Sequence, residues 1–147
     1  MNGKAAVTRT IVTLALLVGS VAAARADLRI MSSPGGEVGS YLRLFEMVRK
    51  SGQRVIIDGP CLSACTLVLS TVPQDRICVT RRAVLGFHAA RWLDRRGQFY
   101  TAPDETRLLA ATYPEPVRAW IERSGGLREK AIFLRSRQLA SLYRLCR

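Results

Sequence analysis

GPCLSAC, residues 59–65, joins two short apolar segments of the chain. Residues 54–57 before it predict a buried strand, and residues 66–69 after it predict the first turns of a buried helix. A serine at such a turn has its hydroxyl held outward, and the N–H groups that follow it lack intrahelical partners. The small Ala64 leaves room for a ligand to approach those groups. The pattern therefore indicates Ser63 as an acyl-transfer nucleophile beside part of an oxyanion hole, although a helix N-cap is the structural alternative.

Residues 1–26 have the pattern of a secretory signal peptide, in which a basic start precedes an apolar stretch over residues 11–24. Ala24 and Ala26 stand at the two positions that signal peptidase reads, so we expect cleavage after residue 26. The apolar stretch is short for a membrane span, although an uncleaved N-terminal anchor is the alternative. We therefore expect a periplasmic or secreted protein with one domain, residues 27–147, and no stable membrane span after cleavage.

The composition is that of a globular protein, with 48% hydrophobic and 23% charged residues. The formal net charge is +12, of which three positive charges belong to the predicted signal peptide. The arginines are spread along the chain and are not interleaved with aromatic residues as in a groove for single strands. We therefore predict no nucleic-acid partner. The basic surface is either a solvated face or a site of attraction for anionic partners such as membrane phosphates.

All four cysteines, Cys61, Cys65, Cys78 and Cys146, lie in the predicted mature chain. Export permits disulfides, and four cysteines allow three pairings among which the sequence does not choose. A bond between Cys61 and Cys65 would clamp the turn that carries Ser63. One C-x3-C motif and a single histidine make a poor zinc site, so we predict no metal. A redox-sensitive element around Ser63 is a further alternative, although C-x3-C is not the C-x-x-C of oxidoreductases.

The first half of the mature chain alternates strand and helix patterns. A strand over residues 28–32 is followed by the turn SPGG at 33–36, whose glycines suit a positive φ or a close backbone approach. A helix is predicted over 37–51, ended by Gly52. Its apolar face consists of Val38, Tyr41, Leu42, Leu44, Phe45 and Val48. With the segments described above, this order predicts an α/β protein with a parallel sheet.

The second half continues with strands at 76–79 and 83–87, and the latter leads directly into His88, the only histidine. A charged loop is expected over 91–97. One helix is predicted from Pro103 to an interruption at Pro114, and another over 116–123. Residues 127–145 predict one or two final helices. The inward-facing residues of that segment are predicted to be Ile132, Phe133, Leu139, Leu142 and Leu145.

Three motifs occur in a familiar order: SPGG at 33–36, G-x-x-x-S at 59–63, and a strand that ends in His88. In this the chain resembles the proteolytic subunit of the Clp protease and its relatives in the Clp/crotonase superfamily. The interval of 25 positions from Ser63 to His88 matches the spacing in that family, and the resemblance extends over residues 28–90. It implies an α/β fold of repeated β-β-α units with a parallel sheet and C-terminal helices.

The resemblance also implies roles for individual residues. Ser63 would attack the acyl carbon, and His88 would take its proton and pass it to the leaving amine. The backbone N–H groups of Ala64 and of Gly36 or Gly35 would hold the oxyanion. A peptide substrate, added as a strand near residues 36–38, and a homo-oligomer are further implications, and no cofactor is expected. The alternative for His88 is a histidine packed at the rim of the core.

One feature of the family is missing from the sequence. The region that matches the family's orienting aspartate, residues 135–139, contains no carboxylate. The acids that remain as substitutes, which the sequence does not rank, are Asp94, Asp104, Glu105 and Glu129. Two functions are therefore predicted. The first is an exported, ATP-independent serine hydrolase that acts on short or unfolded peptides, and the alternative is an inactive module of the same fold for peptide binding or envelope assembly.

Overall fold

A computed structural model of the protein describes residues 26–147, which form a mixed α/β structure with small sheets and helices. All of the predicted signal peptide except Ala26 therefore lies outside the described residues. The strands are β1 (Leu28–Ile30), β2 (Val55–Ile57), β3 (Pro60–Leu62), β4 (Ile77–Val79), β5 (Val84–Phe87), β6 (Arg91–Leu93), β7 (Phe99–Thr101) and β8 (Ile132–Arg135). The helices are α1 (Val38–Ser51), α2 (Val68–Thr71), α3 (Pro103–Thr112), α4 (Glu115–Arg123) and α5 (Ser136–Leu142).

The first sheet is parallel, with the strand order β1-β2-β4. Its central strand β2 carries Val55 and Ile57, both completely buried, because the sheet is covered on the face to which they point. Helix α1 makes the connection from β1 to β2, as expected for parallel neighbours that need a long crossover. The parallel sheet predicted from the sequence is confirmed, with strands one or two residues shorter than their apolar patterns.

Helix α1 begins and ends where the sequence indicates. The Glu37 carboxylate accepts hydrogen bonds from the Gly39 N–H at 2.7 Å and the Ser40 N–H at 2.6 Å, so Glu37 is the N-cap rather than the first helical residue. Gly52 ends the helix in the left-handed conformation. The buried face is narrower than predicted, since Phe45 and Val48 are buried but Leu42 and Leu44 are exposed.

The second sheet has the order β3-β5-β8, in which β3 and β5 are parallel and β5 and β8 are antiparallel. Strand β3 was expected to be part of a turn, but its backbone pairs with that of β5. The segment after β1 also joins this sheet, since the Ser33 N–H donates to Pro60 O at 2.8 Å and the Leu62 N–H donates to Ser33 O at 2.9 Å. The two sheets are thus linked by hydrogen bonds that include Leu62, the residue immediately before Ser63 in the chain.

The segment predicted as a charged loop, residues 91–97, is partly a β-hairpin. Strands β6 and β7 pair as antiparallel neighbours, with Trp92 opposite Tyr100 and Leu93 opposite Phe99. These side chains favour strands, and their pairing outweighs the charge of the connecting turn. Every residue of the two strands is exposed. The helix predicted from Pro103 and the break at Pro114 are both present.

The C-terminal segment corrects the prediction of one or two helices over 127–145. Its first part is the strand β8, so that Leu134 is completely buried while its neighbour Phe133 is 48% exposed. The inward-facing residues were predicted for a helix, but in a strand successive side chains point to opposite faces. Leu139 is buried within α5, as expected, but Leu145 is 50% exposed at the end of the chain. Ile132 and Leu142 are half-buried.

Both pairs of cysteines form disulfides, Cys61 with Cys65 and Cys78 with Cys146. The second bond holds the C-terminal segment against β4, where the Val79 N–H donates to Arg144 O and the Cys146 N–H donates to Val79 O, each at 3.0 Å. Two disulfides are compatible with an exported protein, because such bonds persist in oxidising compartments. Among residues 26–147 there is no helix of the length and apolar character needed to cross a bilayer.

A buried acid at the end of β2 ties three segments together. Asp58 is 7% exposed and accepts hydrogen bonds from Arg82 Nη2 at 2.7 Å, Arg29 Nη1 at 2.7 Å and Thr80 Oγ1 at 2.8 Å. The Arg82 guanidinium, followed by Thr80 and Arg29, holds the pKa of the Asp58 carboxyl well below its ordinary value. The folded state therefore releases this proton more readily than the unfolded chain does.

We expect Asp58→Asn to lower the free energy of unfolding at pH 7. The variant should also lose less of this free energy than the wild type when the pH is lowered. The contribution of Asp58 is complete above the ordinary pKa of 3.8 and is lost as the pH falls towards the lowered pKa of the folded state. Urea unfolding at pH 7, 4 and 3 measures both effects. Asp75→Asn, at an exposed position, is the control and should keep the wild-type pH dependence. If the free energy of unfolding falls with decreasing pH as steeply in Asp58→Asn as in the wild type, Asp58 does not have this role.

Candidate active site

The residues predicted to form the site line a single cavity of about 860 Å³. Ser63 and His88 are both in its wall, together with Gly35, Gly36 and Ala64. These residues come from three separate parts of the chain: the turn after β1, the turn after β3 and the end of β5. The sheet pairing described above is what brings the three parts to the same edge of the molecule.

Ser63 occupies a backbone conformation that is rare for a residue with a side chain. Its φ is +55°, in the left-handed region, and it begins a 3-10 helix, Ser63–Leu67, that continues into α2. The predicted α-helix at this place is therefore irregular in its first turn. Leu62 is the N-cap and no side-chain cap hydrogen bond is made, so Ser63 does not serve as the cap that the sequence allowed. A strained residue at a strand-to-helix turn is typical of a nucleophilic serine.

Two side chains that the sequence analysis did not identify hold the Ser63 turn in place. Thr66 Oγ1 donates to the carbonyl oxygen of Ser63 at 2.7 Å and lies 2.6 Å from the Tyr113 hydroxyl. Burial raises the pKa of Tyr113 to about 12, so this hydroxyl stays protonated over the physiological range. The phenol ring packs edge-on against Phe87 at a centroid distance of 5.3 Å. The Ser63 turn is thereby braced against β5, the strand that precedes His88.

The SPGG turn lies directly against the Ser63 turn. Gly35 has a φ of +83°, and a Cβ added to it would lie 2.5 Å from both Leu62 O and Ser63 Cβ. Ser33 supports the turn from the other side, since its hydroxyl lies 2.8 Å from the Tyr41 hydroxyl and 3.4 Å from the Gly35 nitrogen. Only a residue without a side chain fits at position 35. The close backbone approach predicted from the two glycines therefore occurs between Gly35 and residues 62–63.

Two backbone donors in the cavity wall are free. Within residues 26–147, no hydrogen bond uses the N–H of Gly36 or of Ala64. Gly35 N–H differs, because it makes a long bond of 3.4 Å to Ser33 Oγ. Ala64 is the second residue of the 3-10 helix, where N–H groups have no intrahelical acceptor. Of the three donors suggested by the sequence, Gly36 and Ala64 are thus the two available to an oxyanion.

His88 is half-buried, and its ring is oriented by the backbone. Nδ1 lies 2.7 Å from the carbonyl oxygen of Ala89. Because a carbonyl only accepts, Nδ1 carries the proton in this contact and Nε2 of the neutral ring is left to accept one. Ser63 and His88 do not hydrogen-bond to each other in this structure. Catalytic hydrogen bonds in unliganded sites are often long and shorten only when substrate binds.

No carboxylate among residues 26–147 contacts the His88 ring. Asp94 accepts from the Arg96 and Gln98 N–H groups within the β6–β7 turn, and Asp104 pairs with Arg107. Glu129 is exposed and is absent from the cavity wall. Glu105 does line the cavity. None of the four acids suggested as substitutes therefore replaces the orienting aspartate, and the carbonyl oxygen of Ala89 contacts the His88 ring instead.

Apart from the residues above, the cavity wall is mainly apolar. The larger apolar and aromatic side chains that line it are Val38, Leu67, Trp92, Leu93, Phe99, Leu108, Leu109, Tyr113 and Leu127. Several of them belong to the exposed hairpin and to α3, so the cavity opens between these elements and the body of the domain. Such a cavity suits a ligand that combines apolar groups with a few polar ones.

Comparisons with known proteins add no assignment: neither the family models scanned nor the curated proteins searched include a match to this chain.

Proposed function

We propose that the protein is an exported, ATP-independent serine hydrolase that cleaves peptides, with Ser63 as nucleophile and His88 as general base. The observation that carries this proposal is the shared cavity, whose wall includes Ser63, His88, Gly36 and Ala64. A hydroxyl, a base and two backbone donors are the parts that acyl transfer requires. The signal-peptide pattern and the two disulfides support a periplasmic or secreted location.

In the proposed reaction, Ser63 Oγ attacks the acyl carbon while His88 Nε2 takes the hydroxyl proton. The Gly36 and Ala64 N–H groups donate to the oxyanion that forms. His88 then returns the proton to the leaving amine, and water repeats the sequence to release the acid. Ala89 O orients the ring but, being neutral, stabilises the imidazolium less than a carboxylate would. Since replacement of the orienting acid costs about 10⁴ in rate in a well-studied triad, we expect slow turnover.

The Clp/crotonase fold is part of the proposal. The parallel sheet, the SPGG turn packed on the serine turn and the strand that ends in His88 support it. The antiparallel strand β8 and the single short helix after it distinguish the C-terminal part from the helices that the resemblance implied. A peptide ligand and a homo-oligomer remain predictions from the resemblance.

A fluorophosphonate reagent tests the proposal, because it reacts with serines that a base activates. We expect the mature chain, residues 27–147, to be labelled at Ser63, and Ser63→Ala to lose the label completely. His88→Ala should be labelled at least about 100-fold more slowly, the lower limit usual for a lost general base. Intact mass and circular dichroism of each variant show the site of labelling and the fold. Absence of label on a folded wild-type chain would refute the hydrolase.

The inactive peptide-binding module is the second candidate, and it is favoured because no carboxylate among residues 26–147 contacts the His88 ring. In that case the folded wild-type chain resists the reagent and still binds peptides in the cavity. A redox element has less support, because Cys61 and Cys65 are buried with exposed fractions of 0% and 1%. Exchange with an external thiol requires access to the sulfur atoms, which this burial opposes.

A further inference from the structure

We propose that the cavity selects peptides in which a lysine or arginine lies beside an apolar residue, and that the Glu105 carboxylate receives the cationic group. This inference deepens the proposed function and rests on it, since the same cavity is the binding site. Glu105 touches substrate in this scheme but takes no part in the proton transfers. It is a residue that determines specificity in a wall that is mainly apolar.

Glu105 is an acid that has no counterion among residues 26–147. It is half-buried as the third residue of α3, in the first turn, and it makes no hydrogen bond or ion pair with any residue in the 26–147 range. Its neighbour Asp104, by contrast, is paired with Arg107. Glu129 also makes no salt bridge within residues 26–147, but Glu105 is the one of the two that lies in the cavity wall. A cationic ligand group would supply the missing partner.

The other acid in the cavity wall is already occupied. Both carboxylate oxygens of Glu37 accept N–H groups at the start of α1, and Arg43 lies 3.7 Å away. The hydrogen bond from Ser40 and the other cap bonds lower the pKa of Glu37, as expected for a carboxylate that is fully engaged. Glu105 is therefore the acid in the wall that is left to interact with a ligand.

The surroundings of Glu105 suit the stem of a basic side chain. Leu108 and Leu109 lie in the cavity wall in the next turn of α3, and Trp92 lines it from the hairpin. The methylenes of lysine or arginine pack on such surfaces while the charged group reaches a polar partner. The one arginine in the wall, Arg91, has its guanidinium 4.9 Å from the Phe99 ring centroid, so it is held on the hairpin.

Binding to the Ser63→Ala variant tests selection separately from catalysis. Two fluorescein-labelled hexapeptides are compared by anisotropy, identical except for lysine or glutamine beside a central leucine. We expect the lysine peptide to bind roughly fivefold more tightly at low salt, the upper range for a partly exposed ion pair. Glu105→Gln should remove this difference, and 1 M NaCl should reduce it by screening. Glu115→Gln, at an exposed acid in the first turn of α4, is the matched control and should preserve the difference.

The outcomes separate the two proposals. A wild-type chain that is labelled at Ser63 while the two peptides bind equally well overturns the selection and leaves the hydrolase standing. Selection by Glu105 without labelling supports the specificity and refutes the hydrolase. Tighter binding of a matched glutamate peptide, lost in Arg91→Gln, overturns the inference in favour of an anion site. Failure of both peptides to bind a folded Ser63→Ala chain overturns it as well.

Discussion

Replacement of Gly35 by alanine is expected to slow the labelling of Ser63 by at least about 100-fold, the effect of misplacing a reacting group by about 1 Å. A Cβ at this position would lie 2.5 Å from Ser63 Cβ and from Leu62 O, so the two turns must separate. The φ of +83° adds strain of about 1–2 kcal/mol for any residue with a side chain. The rate of fluorophosphonate labelling, measured by intact mass over time, gives the size of the effect.

A glycine outside the cavity wall provides the matched control. Gly97 has a similar φ of +78°, but a Cβ added there would meet no atom within 4 Å. Gly97→Ala therefore carries the same backbone strain without the clash and should be labelled at close to the wild-type rate. Circular dichroism and urea unfolding show whether Gly35→Ala is folded under the labelling conditions. If folded Gly35→Ala reacts as fast as Gly97→Ala, contact between the turns does not position Ser63.

The first half of the fold could be predicted because its apolar patterns are simple. Helix α1 is specified by one stripe with an acid before it and Gly52 after it, and these local signals agree with the tertiary structure. The central strand of the parallel sheet is short and β-branched, and its residues Val55 and Ile57 are buried. Where several independent signals indicate the same element, sequence reasoning places it to within one or two residues.

The second half was harder to predict because tertiary pairing decides it. The segment with Phe133 and Leu134 has as many apolar residues as a helix would need, yet it is a strand because β5 offers an edge. The β6–β7 hairpin is similar, since its strands are stabilised by each other and not by the core. The choice among three disulfide pairings depends on which strands are neighbours, and spacing along the sequence does not contain that information.

The candidate site could likewise be predicted only in part. Ser63 and His88 were identified from motifs, and the structure places both in one cavity. Thr66 and Tyr113, which brace the serine turn, are 47 positions apart, so no local pattern connects them. The contact of His88 with the carbonyl of Ala89 was equally hidden, because any residue supplies a carbonyl. Side-chain chemistry is visible in a sequence, whereas backbone partners are not.

We expect the Cys78–Cys146 bond to contribute more to stability and the Cys61–Cys65 bond to contribute more to the reactivity of Ser63. Removal of each pair of cysteines tests the two contributions separately. The Cys78–Cys146 bond spans 68 positions and the Cys61–Cys65 bond spans 4. Chain entropy then predicts that Cys78→Ala with Cys146→Ala lowers the free energy of unfolding by roughly 4 kcal/mol, and that Cys61→Ala with Cys65→Ala lowers it by roughly 2 kcal/mol. Urea unfolding of the two double variants measures this order.

Labelling of Ser63 should show the reverse order. The short bond closes the loop that contains Ser63 in its left-handed conformation, so its loss lets the serine relax and slows labelling at least about tenfold. The long bond holds the C-terminal segment to β4, on the far strand of the first sheet, and its loss should leave the labelling of folded protein unchanged. Equal labelling of the two double variants would mean that the 61–65 bond does not constrain the nucleophile.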